Sequence, residues 1–543
     1  MLKNGQTADV TITGYTSDGQ GVCRMDGCAV FVPNAIAGEL CTVKVVRAGK
    51  TAAWGKIERI LQPSPHRIPR ACPYAKLCGG CQFQHMDYEE ETALKAQRVV
   101  DALTRIGKTG LRRVQVLPAP AVDGYRNKAQ YPVAEVNGHP VAGFYKSRTH
   151  QVVPIDRCRI LPPEADMAKD CVLAWMERWG VRAYDETTGR GLIRHIYVRK
   201  AFATGQLLVC LVANGSTLPH TQALIDALKE KLPGLTSVVL SVNQKKTNVV
   251  LGDRFLTLYG SGEIEDELCD LRFRLSPRSF YQVNRAQAEK LYRTAIDAAG
   301  LTGRETVLDL YCGTGTITLA MARHAGRVLG VEVVEQAIRD ARENARRNGI
   351  ENAEFFCADA AQAAKRLADE GVRPDVVVVD PPRKGLDAAI PGILAQMSPR
   401  RIVYVSCDPA TLARDLEKLE KYGYSAQTAQ SLDLFPRCAH VETVVQLVRK
   451  KPDTYIDITV DMDELDLTSS EAKATYDEIK DYIFDKHCVK VSSLYIAQVK
   501  QKHGIIERDC YNNSKKESPK QHQCPPEKVT LIEEALRHFK MIP

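Results

Sequence analysis

Alternating strands and helices run from about Ser276 to residue 450, and this pattern constrains the fold more than any other feature. Six apolar runs there have the length of buried strands, with helix-compatible segments between them. Such alternation produces a parallel, doubly wound sheet that binds ligands at the carboxyl ends of its strands. We therefore predict an α/β domain with strands at 306–311, 327–333, 353–359, 375–380, 401–407 and 442–449.

The rest of the sequence predicts three further parts. Short strands separated by Gly turns precede residue 62 and are typical of a small β-barrel. A strand-rich stretch with helices near 92–107 and 218–231 follows, and three helices are predicted at 468–487, 492–503 and 526–540. The predicted organisation is a barrel at 1–62, a central α+β insert at 63–275, the doubly wound domain at 276–450 and a helical extension of unknown role at 451–543.

Charge is distributed unevenly along the chain. The net charge is +8, with +11 in residues 1–450 and −3 in the remainder. A basic body favours a polyanionic partner such as nucleic acid, although the same charge also serves solubility. The sequence shows neither a signal peptide nor a run of eighteen apolar residues. We expect a cytoplasmic protein without a membrane partner, and a monomer.

A glycine-containing loop follows the first strand of the α/β domain. It reads Asp309-Leu-Tyr-Cys-Gly-Thr-Gly-Thr316, and Gly313 and Gly315 permit tight turns and close approach of a ligand. The loop departs from the dinucleotide pattern, because Thr318 stands where a third Gly is required. Glu332 ends the next strand, where a carboxylate can accept hydrogen bonds from ribose hydroxyls. Together these features predict an S-adenosylmethionine site; a plain tight turn beside a surface acid is the alternative.

Two segments directly after the fourth and fifth predicted strands carry chemically suited residues. Asp380-Pro-Pro-Arg-Lys-Gly385 follows the fourth strand and Ser406-Cys407-Asp408-Pro409 follows the fifth. In a doubly wound sheet, both segments face the crevice that holds the cofactor. Glu442 begins the last strand, within His440-Val-Glu-Thr.

These motifs resemble those of a known family. DLYCGTG, DPPRKG, SCDPATLARDL and HVET are similar to motifs of the RNA 5-methyluridine methyltransferases, and the likeness spans residues 1–450. The barrel is similar to a TRAM domain, and the 23S ribosomal RNA uracil-5-methyltransferases of the RumA type are the nearest likeness. The resemblance implies a class I methyltransferase fold and transfer of a methyl group from S-adenosylmethionine to C5 of a uridine in 23S ribosomal RNA.

The resemblance also assigns roles to particular residues. It implies that Cys407 is the nucleophile that adds to C6 of uracil and that Glu442 removes the C5 proton, tasks that suit a thiolate and a carboxylate. A buried structural thiol and an exposed acid are the alternatives. The implied cofactor contacts are Gln282, Tyr311, Glu332, Asp380 and, with less support, Asp359.

Cysteines cluster near the start of the 63–275 region, where Cys72, Cys78 and Cys81 lie within one short loop. The resemblance implies that this region is the iron–sulfur and central RNA-recognition domain. Three thiolates require a fourth partner, and the resemblance supplies Cys158. It further implies that the four cysteines hold a [4Fe–4S] cluster. Spacing alone does not separate this cluster from a structural zinc site.

Several functions stay open at this point. Within the same chemistry, the T-loop uridine of tRNA is the alternative substrate. A protein of another class would be a non-catalytic iron–sulfur protein that binds RNA, which the presence of both Cys407 and Glu442 argues against. An amino-group methyltransferase would need no thiol at position 407.

Overall fold

The computed structural model of this chain describes residues 2–450, 474–487, 489–503, 505 and 524–542. The chain divides into two compact units, Met1–Asp453 and Thr454–Pro543. Three large sheets and one hairpin make up the first unit. None of the helices in the described ranges combines the length and the apolar character needed to cross a membrane.

Six strands form a small barrel at the amino-terminal end. They are β1 (Thr7–Thr11), β2 (Gly14–Tyr15), β3 (Gly21–Met25), β4 (Cys28–Val32), β5 (Leu40–Ala48) and β6 (Ala52–Gln62), in the order β1-β5-β6-β4-β3-β2. Asp26 and Gly27 both have positive φ, as a two-residue type I′ hairpin requires. The backbone N–H of Thr13 donates to the carbonyl of Val22 over 2.7 Å, which brings the two ends of the sheet together.

A capped helix leaves the barrel and packs into the second half of the unit. Helix α1 (Tyr88–Asp101) begins at Asp87, whose side chain accepts a hydrogen bond from the backbone of Glu90. A π-helical turn (Ala102–Ile106) continues it, and the short strand β7 (Val116–Leu117) follows. The helix thus starts four residues before the predicted segment 92–107, because the cap lies earlier.

The central sheet has seven strands and is covered on both faces. Its strands are β8 (Lys128–Val136), β9 (His139–Tyr145), β10 (Val152–Pro154), β11 (Ile193–Lys200), β12 (Leu207–Ala213), β13 (Leu235–Val242) and β14 (Arg254–Gly260). Helices α2 (Pro163–Trp179) and α3 (Thr221–Lys231) pack against one face of the sheet, where they share a core with Val209 and Leu211 of β12. The alternate residues Leu208 and Cys210 belong to the core on the other face. Burial on both faces explains the uninterrupted apolar run of β12.

The third sheet follows a hairpin and one helix. The elements are β15 (Ile264–Leu268), β16 (Leu271–Leu275), α4 (Arg285–Ala299), β17 (Thr306–Asp309), α5 (Thr316–Ala322), β18 (Arg327–Glu332), α6 (Glu335–Arg347), β19 (Ala353–Cys357), α7 (Ala360–Asp369), β20 (Val376–Val379), α8 (Ile390–Met397), β21 (Arg401–Ser406), α9 (Pro409–Lys421), β22 (Tyr424–Leu432) and β23 (Glu442–Arg449).

Strand order places the site within this sheet. The order is β19-β18-β17-β20-β21-β23-β22-β7, and β17 to β21 are parallel while β23 is antiparallel to β21. The chain reverses its winding direction at β17, so a crevice forms at the carboxyl ends of β17 and β20. This arrangement confirms the predicted fold class. The sheet also includes the edge strand β7 (Val116–Leu117), which pairs with β22 and which the prediction had placed in the central insert.

The described residues of the second unit form three helices around an apolar core. They are α10 (Tyr476–His487), α11 (Ser493–Lys502) and α12 (Pro526–His538). Ile483, Ile496 and Ile532 are fully buried between them. The structure therefore contains the three predicted helices, and residues 468–473 of the first prediction lie outside the described residues.

Candidate active site

The predicted catalytic and cofactor-binding residues line one cavity of about 880 Å³ at the carboxyl ends of the parallel strands. Its lining includes every catalytic and cofactor residue predicted above, namely Cys407, Glu442, Gln282, Tyr311, Glu332, Asp359 and Asp380.

The glycine loop after β17 is held by the strand that precedes it. Asp309 is buried, accepts a hydrogen bond from the hydroxyl of Thr318 over 2.6 Å, and accepts another from the backbone of Tyr311 over 3.1 Å. Gly315 has φ of +84°, and a Cβ there would lie 3.2 Å from the methyl group of Ala341. The loop therefore needs glycine for its conformation and for close packing.

Two acidic residues stand at the ends of the next strands. Glu332 ends β18, and one of its carboxylate oxygens accepts the backbone N–H of Val334 over 2.8 Å. Asp359 caps helix α7, because one oxygen accepts the N–H groups of Ala361 and Gln362 over 3.0 and 3.2 Å. Each carboxylate keeps a second oxygen for hydroxyl or amino groups of a nucleoside.

We expect Glu332→Gln to weaken cofactor binding about 10- to 100-fold, since a hydrogen bond to a charged group contributes about 1.5–3 kcal/mol. Calorimetric titration with S-adenosylhomocysteine measures this change. Glu335→Gln is the matched control, because that exposed side chain pairs with Arg339 on the outer face of α6. Equal affinities for both variants would show that Glu332 does not bind the nucleoside.

Three carboxyl groups line the cavity, of which Asp309 and Glu442 are buried and Asp380 is half-buried. Burial is the main cause that raises the pKa of Asp309 to about 6, of Asp380 to about 7 and of Glu442 to about 8. Glu442 is only 4% exposed, and Asp380 raises its pKa further. None of the three forms an ion pair with another described residue. In their deprotonated forms they are complementary to a cationic ligand such as a sulfonium.

The thiol of Cys407 lies directly after β21, beside two of these carboxyl groups. Burial raises its pKa to about 11, and Glu442 and Asp380 contribute to this increase. Arg383 acts in the opposite direction on the thiol and on Glu442. The guanidinium of Arg383 also lies 3.0 Å from Nε2 of His440, whose pKa burial lowers to about 4, so this imidazole is neutral and accepts the hydrogen bond.

The segment before α4 closes one side of the cavity. Gln282 is buried, and its backbone carbonyl accepts a hydrogen bond from Asn127 over 2.8 Å. Asn284 caps α4 and donates to the carbonyl of Leu434 over 3.3 Å, which ties this segment to the chain before Glu442. Phe280 lines the mouth and is 64% exposed, so its ring is available for stacking.

Sequence reasoning missed several residues that line this cavity. They are Phe280, Arg383, His440, Arg126 and Lys128. Phe280 lies two residues before Gln282, and Arg383 and His440 lie inside the motifs given above, so their position beside assigned residues was the available signal. Arg126 and Lys128 lie at the start of the central sheet, and the signal for them was the alternation of aromatic and cationic residues in Tyr125-Arg-Asn-Lys128.

The four predicted metal ligands line a second, smaller cavity. Cys72, Cys78, Cys81 and Cys158 surround a space of about 310 Å³. In the described part of the chain, no three His, Cys, Asp or Glu side chains converge closely enough to hold one metal ion. The two cavities share a wall, because Gly80, Arg126 and Lys128 line both.

Fold and site together define a class I methyltransferase: a doubly wound sheet, a glycine loop after its first strand and an acid at the end of its second. Residues 2–57 match the TRAM domain, and residues 123–450 match the family described as tRNA (Uracil-5-)-methyltransferase. The chain belongs to this family and is an S-adenosylmethionine-dependent RNA methyltransferase.

Known relatives cover the same part of the chain. An uncharacterised RNA methyltransferase of Clostridium acetobutylicum is 41% identical over 82% of this chain and 98% of its own length. A protein of Halalkalibacterium halodurans with the same description is 43% identical over 83% of this chain and 98% of its own. The crystal structure of Pyrococcus abyssi tRNA (uracil-54, C5)-methyltransferase with S-adenosyl-L-homocysteine is 27% identical, with a TM-score of 0.66 over 81% of this chain and 99% of that one.

Proposed function

We propose that this enzyme methylates C5 of a specific uridine in 23S ribosomal RNA through a covalent adduct between Cys407 and C6 of the base. The observation that carries the proposal is the meeting of Cys407, Glu442 and the glycine loop in one cavity. A thiol beside a carboxyl group supplies both the nucleophile and the base that methylation at a pyrimidine carbon requires.

Each residue has a defined task in this mechanism. The thiolate of Cys407 forms a bond to C6, and the electrons of the C5–C6 double bond move into an enolate that makes C5 nucleophilic. S-adenosylmethionine supplies the methyl group that C5 receives. Glu442 then takes the proton from C5, the double bond forms again, and the C6–sulfur bond breaks so that Cys407 leaves as a thiolate.

The electrostatics of the cavity suit a base that must act near neutral pH. General bases are most effective when their pKa lies close to the working pH, and burial brings that of Glu442 to about 8. The buried carboxyl groups also attract the positively charged methyl donor. Arg383 lowers the pKa of the Cys407 thiol and so favours the thiolate.

The pH profile of kcat/KM follows from these two raised pKa values. The reaction needs both the thiolate of Cys407 and the carboxylate of Glu442, so we expect the rate to fall about tenfold per pH unit from pH 10 down to an inflection near pH 8, and about a hundredfold per pH unit below it. Arg383→Gln should move this inflection to higher pH, because it removes the cation that lowers both pKa values. Initial rates between pH 6 and pH 10 measure it, and a profile that is flat from pH 6 to 9 would contradict the assignment.

We propose that Cys72, Cys78, Cys81 and Cys158 hold a [4Fe–4S] cluster. Four thiols are the usual ligands of such a cluster, and all four line one cavity. The neighbouring cations Arg126 and Lys128 are complementary to a negatively charged cluster. Metal analysis of anaerobically purified protein tests this: about four iron and four sulfide per chain support it, and one zinc per chain contradicts it.

The RNA substrate is the second part of the proposal to test. The cysteine cavity and the barrel support ribosomal RNA, whereas the likeness to the Pyrococcus abyssi tRNA enzyme supports tRNA. Mapping 5-methyluridine by mass spectrometry in both RNAs of a deletion strain distinguishes them. Loss of one mark from 23S RNA, restored by the wild-type gene, supports our proposal; loss from tRNA alone assigns the enzyme to the T-loop uridine.

A further inference from the structure

A separate cavity of about 380 Å³ lies in the central sheet, outside the catalytic cavity. This volume is within the range of pockets that hold small ligands. Two tyrosines, an arginine and a histidine line it, and none of the four lines the catalytic cavity: Tyr145, Tyr184, Arg194 and His195. We call it the β11 pocket, because Arg194 and His195 belong to β11.

A β-bulge turns two consecutive polar side chains of β11 toward this pocket. The pairing of β11 with β12 shifts between Ile193 and His195, so that Arg194 is the extra residue. Consecutive residues of a regular strand point to opposite faces, whereas Arg194 and His195 both line the pocket. They are only 6% and 9% exposed. Bulges of this kind often lie beside functional sites, where they redirect a side chain.

The two side chains differ in how far their hydrogen bonds are satisfied. Nη1 of Arg194 donates to the carbonyls of Asn243 and Lys245 over 2.9 and 2.8 Å, and the guanidinium lies 4.5 Å from the ring centroid of Tyr184. Nδ1 of His195, in contrast, is buried without a hydrogen-bond partner among the described residues. Burial lowers the pKa of His195 to about 4, so its neutral ring has one donor and one acceptor nitrogen. This unused capacity indicates that a ligand completes the site.

An aromatic surface and exposed cations accompany the pocket. The ring of Tyr145 stacks on that of His150, with centroids 5.4 Å apart. Three loops beside the pocket carry exposed cations, namely Lys146 and Arg148, Arg190, and Lys245 and Lys246. The last two loops adjoin each other, because a Cβ on Gly189 would lie 3.6 Å from the amine of Lys246. Aromatic rings combined with cations are typical of surfaces that hold single-stranded nucleic acid.

The register of the central sheet relates the β11 pocket to the catalytic cavity. His195 lies opposite Pro132 of β8, and Arg199 lies opposite Lys128, which lines the catalytic cavity. Residues four apart on one strand share a face and are separated by about 13 Å. His195 and Lys128 therefore lie on the same face of the sheet, at a distance that a few nucleotides of extended RNA can span.

Asp185 gives the pocket a preference among the bases. Its carboxylate lines the pocket and accepts the backbone N–H of Thr187 over 2.8 Å. A carboxylate has about four acceptor sites, so Asp185 can also accept a hydrogen bond from an amino group. Adenine, guanine and cytosine carry such a group, and uracil does not.

We propose that the β11 pocket binds an amino-bearing nucleobase of the substrate RNA, a few nucleotides away from the target uridine. The base stacks on Tyr145, its amino group donates to Asp185 and its ring pairs with the imidazole of His195. The phosphates on either side contact the exposed cations. This site goes beyond the proposed reaction, because the target uridine binds in the catalytic cavity, and it applies whichever RNA is methylated.

Equilibrium binding to transcripts of 23S ribosomal RNA and of tRNA tests the pocket. For the RNA that the wild type binds more tightly, we expect Tyr145→Ala to weaken binding about 5- to 100-fold, the range of one lost base stack. Its KM for that RNA should rise, while kcat and the affinity for S-adenosylhomocysteine stay within about twofold. Tyr145→Phe keeps the ring and should bind as the wild type does.

The matched control is Tyr259→Ala, which removes another half-buried tyrosine of the same sheet that lines neither the β11 pocket nor the catalytic cavity. It should bind RNA as the wild type does. Unchanged RNA affinity of Tyr145→Ala would overturn the inference and leave another kind of ligand as the occupant. A wild type that methylated neither RNA would contradict the proposed reaction, whereas the comparison of affinities would still decide the pocket.

A second measurement leaves the lining of the pocket intact. Each lost phosphate contact reduces the slope of log affinity against log salt concentration by about 0.7 for a single strand. We expect this reduction in Lys246→Gln and none in Lys229→Gln, whose exposed amine lies on α3, a helix that lines no part of the pocket. Equal slopes for Lys246→Gln and wild type would contradict the proposed path of the RNA, even if Tyr145→Ala proved insoluble.

Discussion

Cys407→Ala should reduce methyl transfer to RNA by at least about 10⁴-fold, because it removes the proposed nucleophile, the thiol beside Glu442 and Asp380. The loss should appear in kcat, while the affinity for S-adenosylhomocysteine stays within about twofold, since the proposed bond of the thiol is to the base and not to the cofactor. Incorporation of labelled methyl groups into RNA measures the first quantity and calorimetry measures the second.

The covalent step has a separate signature. RNA that contains 5-fluorouridine should form a stable adduct with the wild-type enzyme, because fluorine at C5 cannot leave as a proton does. Cys407→Ala should form no such adduct on a denaturing gel, whereas Cys357→Ala, an exposed thiol outside the cavity, should form it normally. Full activity of Cys407→Ala would contradict the covalent mechanism and favour an amino-group methyltransferase.

Glu442→Gln should slow turnover by about 10²- to 10⁴-fold, the range typical of a lost general base. An amide cannot take the proton from C5, so the adduct between protein and RNA cannot break down. We therefore expect substrate RNA that contains ordinary uridine to accumulate as a covalent complex with the protein. In this complex the uridine already carries the transferred methyl group. A denaturing gel with labelled S-adenosylmethionine detects it.

The matched control for this variant is Glu354→Gln. It removes an exposed carboxylate of strand β19 that pairs with Arg327 of strand β18. It should turn over at the wild-type rate and leave no complex. If Glu442→Gln turned over slowly but left no labelled complex, Glu442 would act before methyl transfer, and another group would have to remove the C5 proton.

The sequence was sufficient to predict which segments meet at the site, for a physical reason. Parallel strands in a doubly wound sheet place their carboxyl ends along one edge, so the residues after β17, β18, β20 and β21 must share a crevice. Asp380, Cys407 and Glu332 follow from that rule alone. The wide separation of DLYCGTG, DPPRKG and SCDP in the sequence is therefore no obstacle to predicting their proximity.

Contacts between distant segments could not be predicted in this way. The amine of Lys95 is fully buried and lies 2.7 Å from the carboxylate of Glu91 and 2.8 Å from that of Asp433. This network joins α1 to the chain that leads to Glu442, and nothing in the local sequence of either segment indicates it.

Gly80, Arg126 and Lys128 line both cavities, so a ligand that displaces these residues in one cavity also changes the lining of the other. Free energy depends only on the initial and final states. Any factor by which a group bound in the cysteine cavity strengthens RNA binding must therefore equal the factor by which bound RNA strengthens the binding of that group.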